Sequence, residues 1–262
     1  MKRQRHIISR IELAKQAVLA SGKEILTMNP EEGVHSKEGN TNFVTAGDKA
    51  SEKVIIGNIK KYYPNDQILS EETESDLTEL LKVGHLWVID PIDGTFNYLN
   101  HLNYSAISVG YVETGVLKTA AVYDPFRKDL FTAEKNKGAF VNGNKIRVST
   151  KSDFSSATVA ADSYFKPEIT RNNLRTLLKL DPVPWILMKG SVVMAVCEVA
   201  CGRIDLYFQT GVKPWDNAAA MLILSEAGGI VRNLKGEKTN FLSNTIVAGN
   251  KILVSKFIRM IK

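Results

Sequence analysis

The chain has 262 residues, 44% of them hydrophobic and 24% charged, with 18 Gly and 8 Pro, a balance that excludes a disordered, collagenous or low-complexity protein. Its 34 basic and 28 acidic side chains leave a net charge of +6, which favours anionic partners such as phosphate esters or nucleic acid and says nothing about fold. The longest apolar run, residues 218–224, is far short of the roughly 20 residues that cross a bilayer, so no membrane partner is expected.

From the N-terminus, Met1-Lys2-Arg3-Gln4-Arg5 has the charge of an export signal, but Arg10, Glu12 and Lys15 interrupt the apolar core that should follow. A cytoplasmic location is expected. There Cys197 and Cys201 stay thiols, because a disulfide four residues apart closes too short a loop to gain much. Apolar residues at Ile7, Ile11, Ala14, Val18 and Ile25 recur near 3.6 and predict a helix over 7–26. Pro30 and Gly33 break it, 29–42 reads as a long polar loop, and 48–62 reads as a second helix closed by Pro64. Short strands over 67–70 and 86–89 each stop just before carboxylates.

Residues 106–113, 116–123, 130–133 and 139–141 then read as an antiparallel meander, turned at Thr114-Gly115 and Asn142-Gly143-Asn144. The remainder alternates: strand 158–161, helices 170–180 and 191–201, strand 204–208, helix 215–227, and strands near Ile230 and Ile246. With no repeat and no linker, the expectation is one domain over 1–262, made of two intimate halves meeting near residue 150, with mixed sheets layered against helices. The basic clusters Lys2, Arg3, Arg5 and Lys251, Lys256, Arg259, Lys262 lack interleaved aromatics and read as solvated surface. His6, His35, His85 and His101 have no metal-ligand spacing and read as surface or loop residues.

The chemistry concentrates in Trp87-Val88-Ile89-Asp90-Pro91-Ile92-Asp93-Gly94-Thr95. A buried strand delivers Asp90, and Gly94 permits the sharp turn that returns Asp93 toward it. The Ile92 carbonyl adds a neutral oxygen, and Mg²⁺ favours oxygen donors. A helix starting at Thr95 would point free N–H groups at the same place. Glu71-Glu72 after one strand and Asp216 at the head of an Ala-rich helix supply more carboxylates, a set that repels itself unless cations neutralise it.

At these residues the sequence resembles the inositol monophosphatase family of metal-dependent phosphatases. Glu71-Glu72, Asp90-Pro91-Ile92-Asp93-Gly94-Thr95 and Trp215-Asp216-Asn217-Ala218-Ala219 through Glu226-Ala227-Gly228-Gly229 stand in the family's order at similar spacing, and Lys37 with Phe43-Val44-Thr45 and Asp48 is similar to its mobile loop and the acidic residue behind. The resemblance implies an α/β fold, an αβαβα sandwich, and a homodimer. It further implies two or three Mg²⁺ ions held by Glu71, Asp90, the Ile92 carbonyl, Asp93 and Asp216. The attacking water would be oriented by the Thr95 hydroxyl, with Asp48 behind and Glu71 alongside. Asp93, Gly94, Thr95, Asp216, Lys37 and Gln209 would meet the substrate, and lithium would inhibit.

Three positions depart from the family pattern. Gly47 stands where many relatives carry Thr, Ala220 replaces a frequent Gly, and Gln209, expected at the rim of the site, stands where inositol-hydrolysing members place Glu. The substrate implied is a small phosphorylated alcohol of inositol 1-phosphate type. Fructose 1,6-bisphosphate, histidinol phosphate and nucleotide 3'-phosphates are alternatives on the same scaffold. Some bacterial relatives also contact RNA or the transcription machinery, which makes a regulatory nucleic-acid-binding role the rival reading.

Overall fold

The computed structural model describes residues 8–38, 42–73, 84–180 and 185–262. The expectations for Lys2, Arg3, Arg5, His6 and Ile7, and for residues 39–41 of the 29–42 loop, lie outside the described residues. Seven helices are described: α1 (Arg10–Ile25), α2 (Ala46–Tyr62), α3 (Thr95–Leu99), α4 (Pro167–Leu177), α5 (Val192–Ala200), α6 (Pro214–Glu226) and α7 (Lys251–Ile261). A hairpin joins β1 (His35–Glu38) to β2 (Asn42–Val44). A seven-stranded sheet runs in chain order through β3 (Gln67–Ser70), β4 (His85–Asp93), β5 (Ala106–Glu113), β6 (Val116–Asp124), β7 (Asp129–Glu134), β8 (Gly138–Val141) and β9 (Asn144–Lys145). Its β3 and β4 are parallel and the rest is the antiparallel meander. A second, five-stranded sheet contains β10 (Thr158–Ala160), β11 (Trp185–Leu187), β12 (Leu206–Thr210), β13 (Ile230–Arg232) and β14 (Thr245–Gly249) in the order β11-β10-β12-β14-β13.

The two-residue alternation of the strands builds the layers. On β4, Trp87 and Ile89 pack under α1 and α2 with Leu13, Val18, Ile55 and Ile59, while Leu86 and Val88 face the opposite way. There they meet α5 and α6 in a central cluster that also takes Ala160, Tyr207, Ile246 and Ala248 from the second sheet. The alternate residues Val159, Leu206, Phe208 and Val247 face outward, onto Leu177 of α4 and Leu253, Val254 and Phe257 of α7. The result is an αβαβα sandwich. Each fully buried Leu, Ile or Phe in these layers contributes on the order of 1.5–3 kcal/mol.

Two contacts fix the layers around the carboxylate motif. The Ser51 hydroxyl donates to the Pro91 carbonyl at 2.6 Å; its single proton is thereby used, so Ser21 on α1 is the donor in the 2.5 Å Ser21–Ser51 bond. Both helices are thus tied to the backbone between Asp90 and Asp93. On the other face, α6 approaches β5 closely because Ala218 and Ala219 lie over Gly110, where an added Cβ would sit 3.2 Å from the Ala218 methyl carbon and 3.2 Å from the Ala219 nitrogen.

Several boundaries differ from expectation. The polar 29–42 segment contains β1 and leads into the antiparallel partner β2, since backbone pairing needs no apolar alternation on so exposed a hairpin. The strand expected over 86–89 continues to Asp93. The helix expected over 170–180 runs Pro167–Leu177, with Pro at the first helical position, where its missing N–H costs nothing. The short strands β9 and β11 were not anticipated, nor was α7, whose exposed basic residues share a helix with the buried Leu253, Val254, Phe257 and Ile258. Cys197 and Cys201 are free thiols. Among the described residues, no helix is long and apolar enough to cross a membrane.

Replacing Gly110 with Val forces α6 off the sheet. The expected cost is about 1–3 kcal/mol of overpacking strain, read as a lower urea midpoint with an unchanged slope.

Candidate active site

Asp90 and Asp93 are three residues apart, a spacing that sends side chains to opposite faces of a regular strand. The pairing of β4 with β5 breaks between them: Asp90 stands opposite Ser108 and Asp93 opposite Ala106, so three steps on one strand match two on the other. This bulge re-aims Asp93 to the side of Asp90. Gly94 then turns the chain at φ +85°, where an added Cβ would lie 3.1 Å from the carbonyl oxygens of Gly190 and Tyr104. The helix expected at Thr95 does begin there, but it runs five residues only.

Asp216 completes the group from α6, its Oδ2 accepting the Lys213 backbone N–H at 2.7 Å in the manner of a capping residue. Carboxylate oxygens of Asp90, Asp93 and Asp216 lie within 4.8 Å of one another. Asp93 Oδ2 accepts the Ser191 hydroxyl and, at 2.9 Å, the Val193 N–H at the start of α5. Among the described residues, neither buried oxygen of Asp90 has a hydrogen-bond partner. Burial and then the neighbouring carboxylates, Glu71 first and Asp93 next, push the Asp90 carboxyl far up; burial followed by Asp93 does the same to Asp216. Burial also raises Asp93, against the lowering effect of its Ser191 and Val193 bonds. Oxygen donors held together, one wholly unpaired, are the environment a hard divalent cation satisfies, so this cluster is fit to hold a metal ion.

Glu71 and Glu72 follow β3 and are bridged by Lys37 from β1, whose ammonium lies 2.9 Å from Glu71 Oε1 and also bonds Glu72. Burial alone would lower the lysine, but the two carboxylates outweigh it and hold it above its ordinary range. Burial, with Glu71 adding to it, raises Glu72 to about 7. Behind the cluster, Asp48 caps α2: its Oδ2 accepts the Thr45 N–H and hydroxyl, both at 2.7 Å. The Thr95 hydroxyl lies 3.1 Å from Asp48 Oδ1 and 3.1 Å from the Ile92 carbonyl. Burial lifts Asp48 to about 6, opposed by its bonds from Thr45. Gly47 has a packing reason, since a Cβ there would lie 2.8 Å from the Tyr98 ring, whose hydroxyl donates to the Ile25 carbonyl.

Lys37, Glu71, Asp90, Ile92, Asp93, Thr95 and Asp216 open onto one cavity of about 380 Å³, whose far wall is formed by residues 162–165, Gln209, Lys213 and Trp215. Gln209 lies deeper than the rim position expected from sequence. It is 1% exposed, and its Oε1 accepts the Asp162 N–H at 3.0 Å and the Asn173 amide at 2.8 Å.

Sequence reasoning missed Asp162, which binds the Lys189 and Gly190 N–H groups at 2.7 Å each through Oδ1 and the Tyr207 hydroxyl at 2.8 Å through Oδ2. The Asn97 amide grips the same loop from the other side through the Lys189 carbonyl at 2.7 Å. Together they set Ser191, and through it Asp93. The signal for Asp162 was the one that marked Asp90, a carboxylate directly after a short apolar strand.

The model of the inositol monophosphatase family matches residues 6–261. The chain belongs to this family. It is 38% identical over 227 residues to the Nus factor SuhB of Escherichia coli strain K12, covering 84% of this chain and 82% of the relative. It is 33% identical over 231 residues to human inositol monophosphatase 1, covering 86% and 83%. Among solved structures, the Thermotoga maritima IMPase superposes with a TM-score of 0.88 at 29% identity, over 97% of each chain. The protein is therefore a phosphoric monoester hydrolase of the inositol monophosphatase type, on that family's layered α/β fold.

An acid whose pKa is raised by folding holds more protons folded than unfolded, so its contribution to stability is complete below its unfolded value and is lost as pH rises through the folded one. Asp48 and Glu72, raised to about 6 and 7 from ordinary values of 3.8 and 4.5, place that loss between about pH 4 and 7. Without divalent metal, the urea midpoint should be higher at pH 5 than at pH 8. Asp90→Asn should raise the pH 8 midpoint by relieving repulsion; an unchanged or lower midpoint in the variant counts against the repulsion.

Proposed function

We propose that the protein is a cytoplasmic, Mg²⁺-dependent phosphomonoesterase that hydrolyses small phosphorylated alcohols of the inositol monophosphate type. The observation that carries this reading is the unpaired Asp90 carboxylate beside Asp93 and Asp216, with the Thr95–Asp48 pair next to it. Glu71, Asp90, the Ile92 carbonyl, Asp93 and Asp216 would hold two or three Mg²⁺ ions. When bound, Mg²⁺ supplies the positive charge that offsets these carboxylates and the Lewis acidity that activates a phosphate ester toward water.

The protein's own part is positioning and proton movement. With its proton directed at Asp48 Oδ1, the Thr95 oxygen presents lone pairs to a water in the cavity and aligns it for in-line attack on phosphorus. As the water loses its proton to Thr95, the Thr95 proton passes to Asp48, and a carboxylate raised to about 6 is well matched to receive it near neutral pH. Glu71 is the second carboxylate lining this part of the cavity. Lys37 attracts the phosphate while holding the β1–β2 hairpin over it, and Asp93, Gly94 and Asp216 line the phosphate's seat. The distal part of the substrate faces Gln209.

A homodimer is part of the proposal. Leu178 just past α4, Trp185 and Ile186 on the edge strand β11 and Met188 just after it are 82%, 67%, 46% and 41% exposed, an apolar surface suited to a second copy. The free thiols fit a reducing cytoplasm. A second role in association with RNA draws support from the likeness to a relative named a Nus factor and from the net charge of +6.

The test is phosphate release from a panel of inositol, sugar, amino-alcohol and nucleotide phosphates. Activity should require Mg²⁺, vanish in excess chelator and be inhibited by lithium; full activity in chelator refutes the reading. Thr95→Val should lower kcat by roughly 100-fold with little change in KM or in the Mg²⁺ requirement, and a wild-type kcat removes Thr95 from the reaction. Gln209→Glu keeps both acceptor contacts to Asp162 and Asn173 but buries a further carboxylate, so its fold is checked by circular dichroism first. It should raise the kcat/KM ratio of inositol monophosphate over substrates with a second anionic group, and an unchanged ratio shows that Gln209 does not set specificity.

A further inference from the structure

We propose a second anion site, separate from the catalytic cavity, in the cleft between α7 and the turn that follows β13, fitted to a compact ligand bearing two or more phosphate groups. The cleft has a volume of about 410 Å³ and shares no lining residue with the catalytic cavity. Five cations surround it: Arg232 and Lys235 on the turn side, Lys251 and Arg259 on α7, and Lys262 directly after it. Among the described residues no acidic side chain lines it, and none of the five has a carboxylate within ion-pair distance. Several other surface cations do have acidic partners, as Lys118 with Glu113, Lys137 with Glu134 and Arg203 with Asp129; what marks this cleft is five cations gathered around one concavity. Uncompensated like charges around a concavity are a standing electrostatic cost, and a polyanion is the ligand that removes it.

The site is built by backbone geometry as well as by composition. Lys251, Ser255 and Arg259 follow one another at helical spacing along one face of α7, with Lys262 directly after it, while Leu253 and Phe257 on its other side enter the core. Facing them, the turn is held by Asn233, whose Oδ1 accepts the Lys235 N–H at 3.0 Å and the Glu237 N–H at 2.9 Å. Gly236, at φ +86°, lets this turn close on the helix; a Cβ there would lie 2.9 Å from Ile258 Cγ2. The turn's own acid, Glu237, is occupied by the Asn233 amide at 2.8 Å and does not line the cleft. The Arg232 guanidinium is steadied by its 2.8 Å bond to the Val231 carbonyl.

The ligand's class follows from shape and chemistry. Lys251 and Lys262 are eleven residues apart, about 16 Å along a helix, so the charges span more than one phosphate. Among the described residues no aromatic side chain lines the cleft, and single-stranded nucleic acid needs such platforms for its bases. A pocket of this size with a floor of Ile230, Val254 and Ile258 suits a small polyphosphorylated molecule.

The experiment is calorimetric titration of the full chain with tripolyphosphate and with orthophosphate in Mg²⁺-free buffer, where the catalytic carboxylates repel both. One saturable site is expected, at least tenfold tighter for tripolyphosphate. The double variant Arg232→Glu, Arg259→Glu should lose at least tenfold in affinity while its Mg²⁺-dependent phosphatase kcat/KM stays unchanged. Lys235→Gln with Lys251→Gln, a milder pair that cannot unfold the chain by charge reversal, should weaken binding severalfold. Absence of saturable binding, or wild-type affinity in both double variants, overturns the proposal. So does binding of a 20-nucleotide RNA that the double variant abolishes but tripolyphosphate does not displace, since the face is then a nucleic-acid surface.

Discussion

Mutual repulsion among buried carboxylates is the constraint around which this molecule is arranged. Asp90, Asp93 and Asp216 come from two structural layers and meet with their oxygens within 4.8 Å, a placement that folding alone would disfavour. Each is restrained by a different device. Asp93 is held by α5 through Ser191 and Val193, Asp216 is held by its own helix start, and Asp90 is fixed by the strand that carries it. The serine chain from α1 through α2 to the Pro91 carbonyl adds a fourth restraint from outside the sheet. Strain at this point is therefore distributed over nearly every layer of the sandwich.

Much of the fold was legible because its periodicities are clean. The meander announces itself through alternation and turn glycines, α1 and α2 through their apolar stripes, and α5 and α6 through continuous apolar runs. What escaped has physical causes. Strands β9 and β11 are too short to carry a period, and β1 is polar on an exposed hairpin. The amphipathic period of α7 is present in Leu253, Val254, Phe257 and Ile258, but its other face is so basic that charge obscures it. In the site, Asp90, Asp93, Glu71 and Asp216 were each visible as a carboxylate at an element's end. The bulge that brings Asp93 beside Asp90 was not, since a register shift depends on the partner strand. Nor was the depth of Gln209 on β12, which is set by Asn173 on α4.

The supports of the site are themselves polar and buried. Asp162 and Asn97 hold the 189–190 loop by opposite faces, and Glu198 collects the Tyr104 hydroxyl at 2.9 Å, Arg127 at 2.8 Å and Lys189 at 2.8 Å. Such networks rigidify when fully satisfied, as these are, and they transmit the position of α5 to Asp93. This is how a side chain distant from the phosphate comes to matter for the geometry around it.

Gly94 has a consequence for how the protein can diverge. Its Cα faces the carbonyls of Gly190 and Tyr104, and Gly190, at φ +76°, faces the Asn97 amide in the same way. No side chain fits between these segments, so that wall of the cavity is closed to variation. The opposite wall carries Ser163, Tyr164, Phe165, Gln209 and Lys213, all but one from elements that supply no carboxylate to the cluster. Evolution can thus exchange the groups that greet an incoming alcohol while the hydrolytic apparatus is inherited unchanged, and paralogues of differing appetite can arise from one ancestral frame.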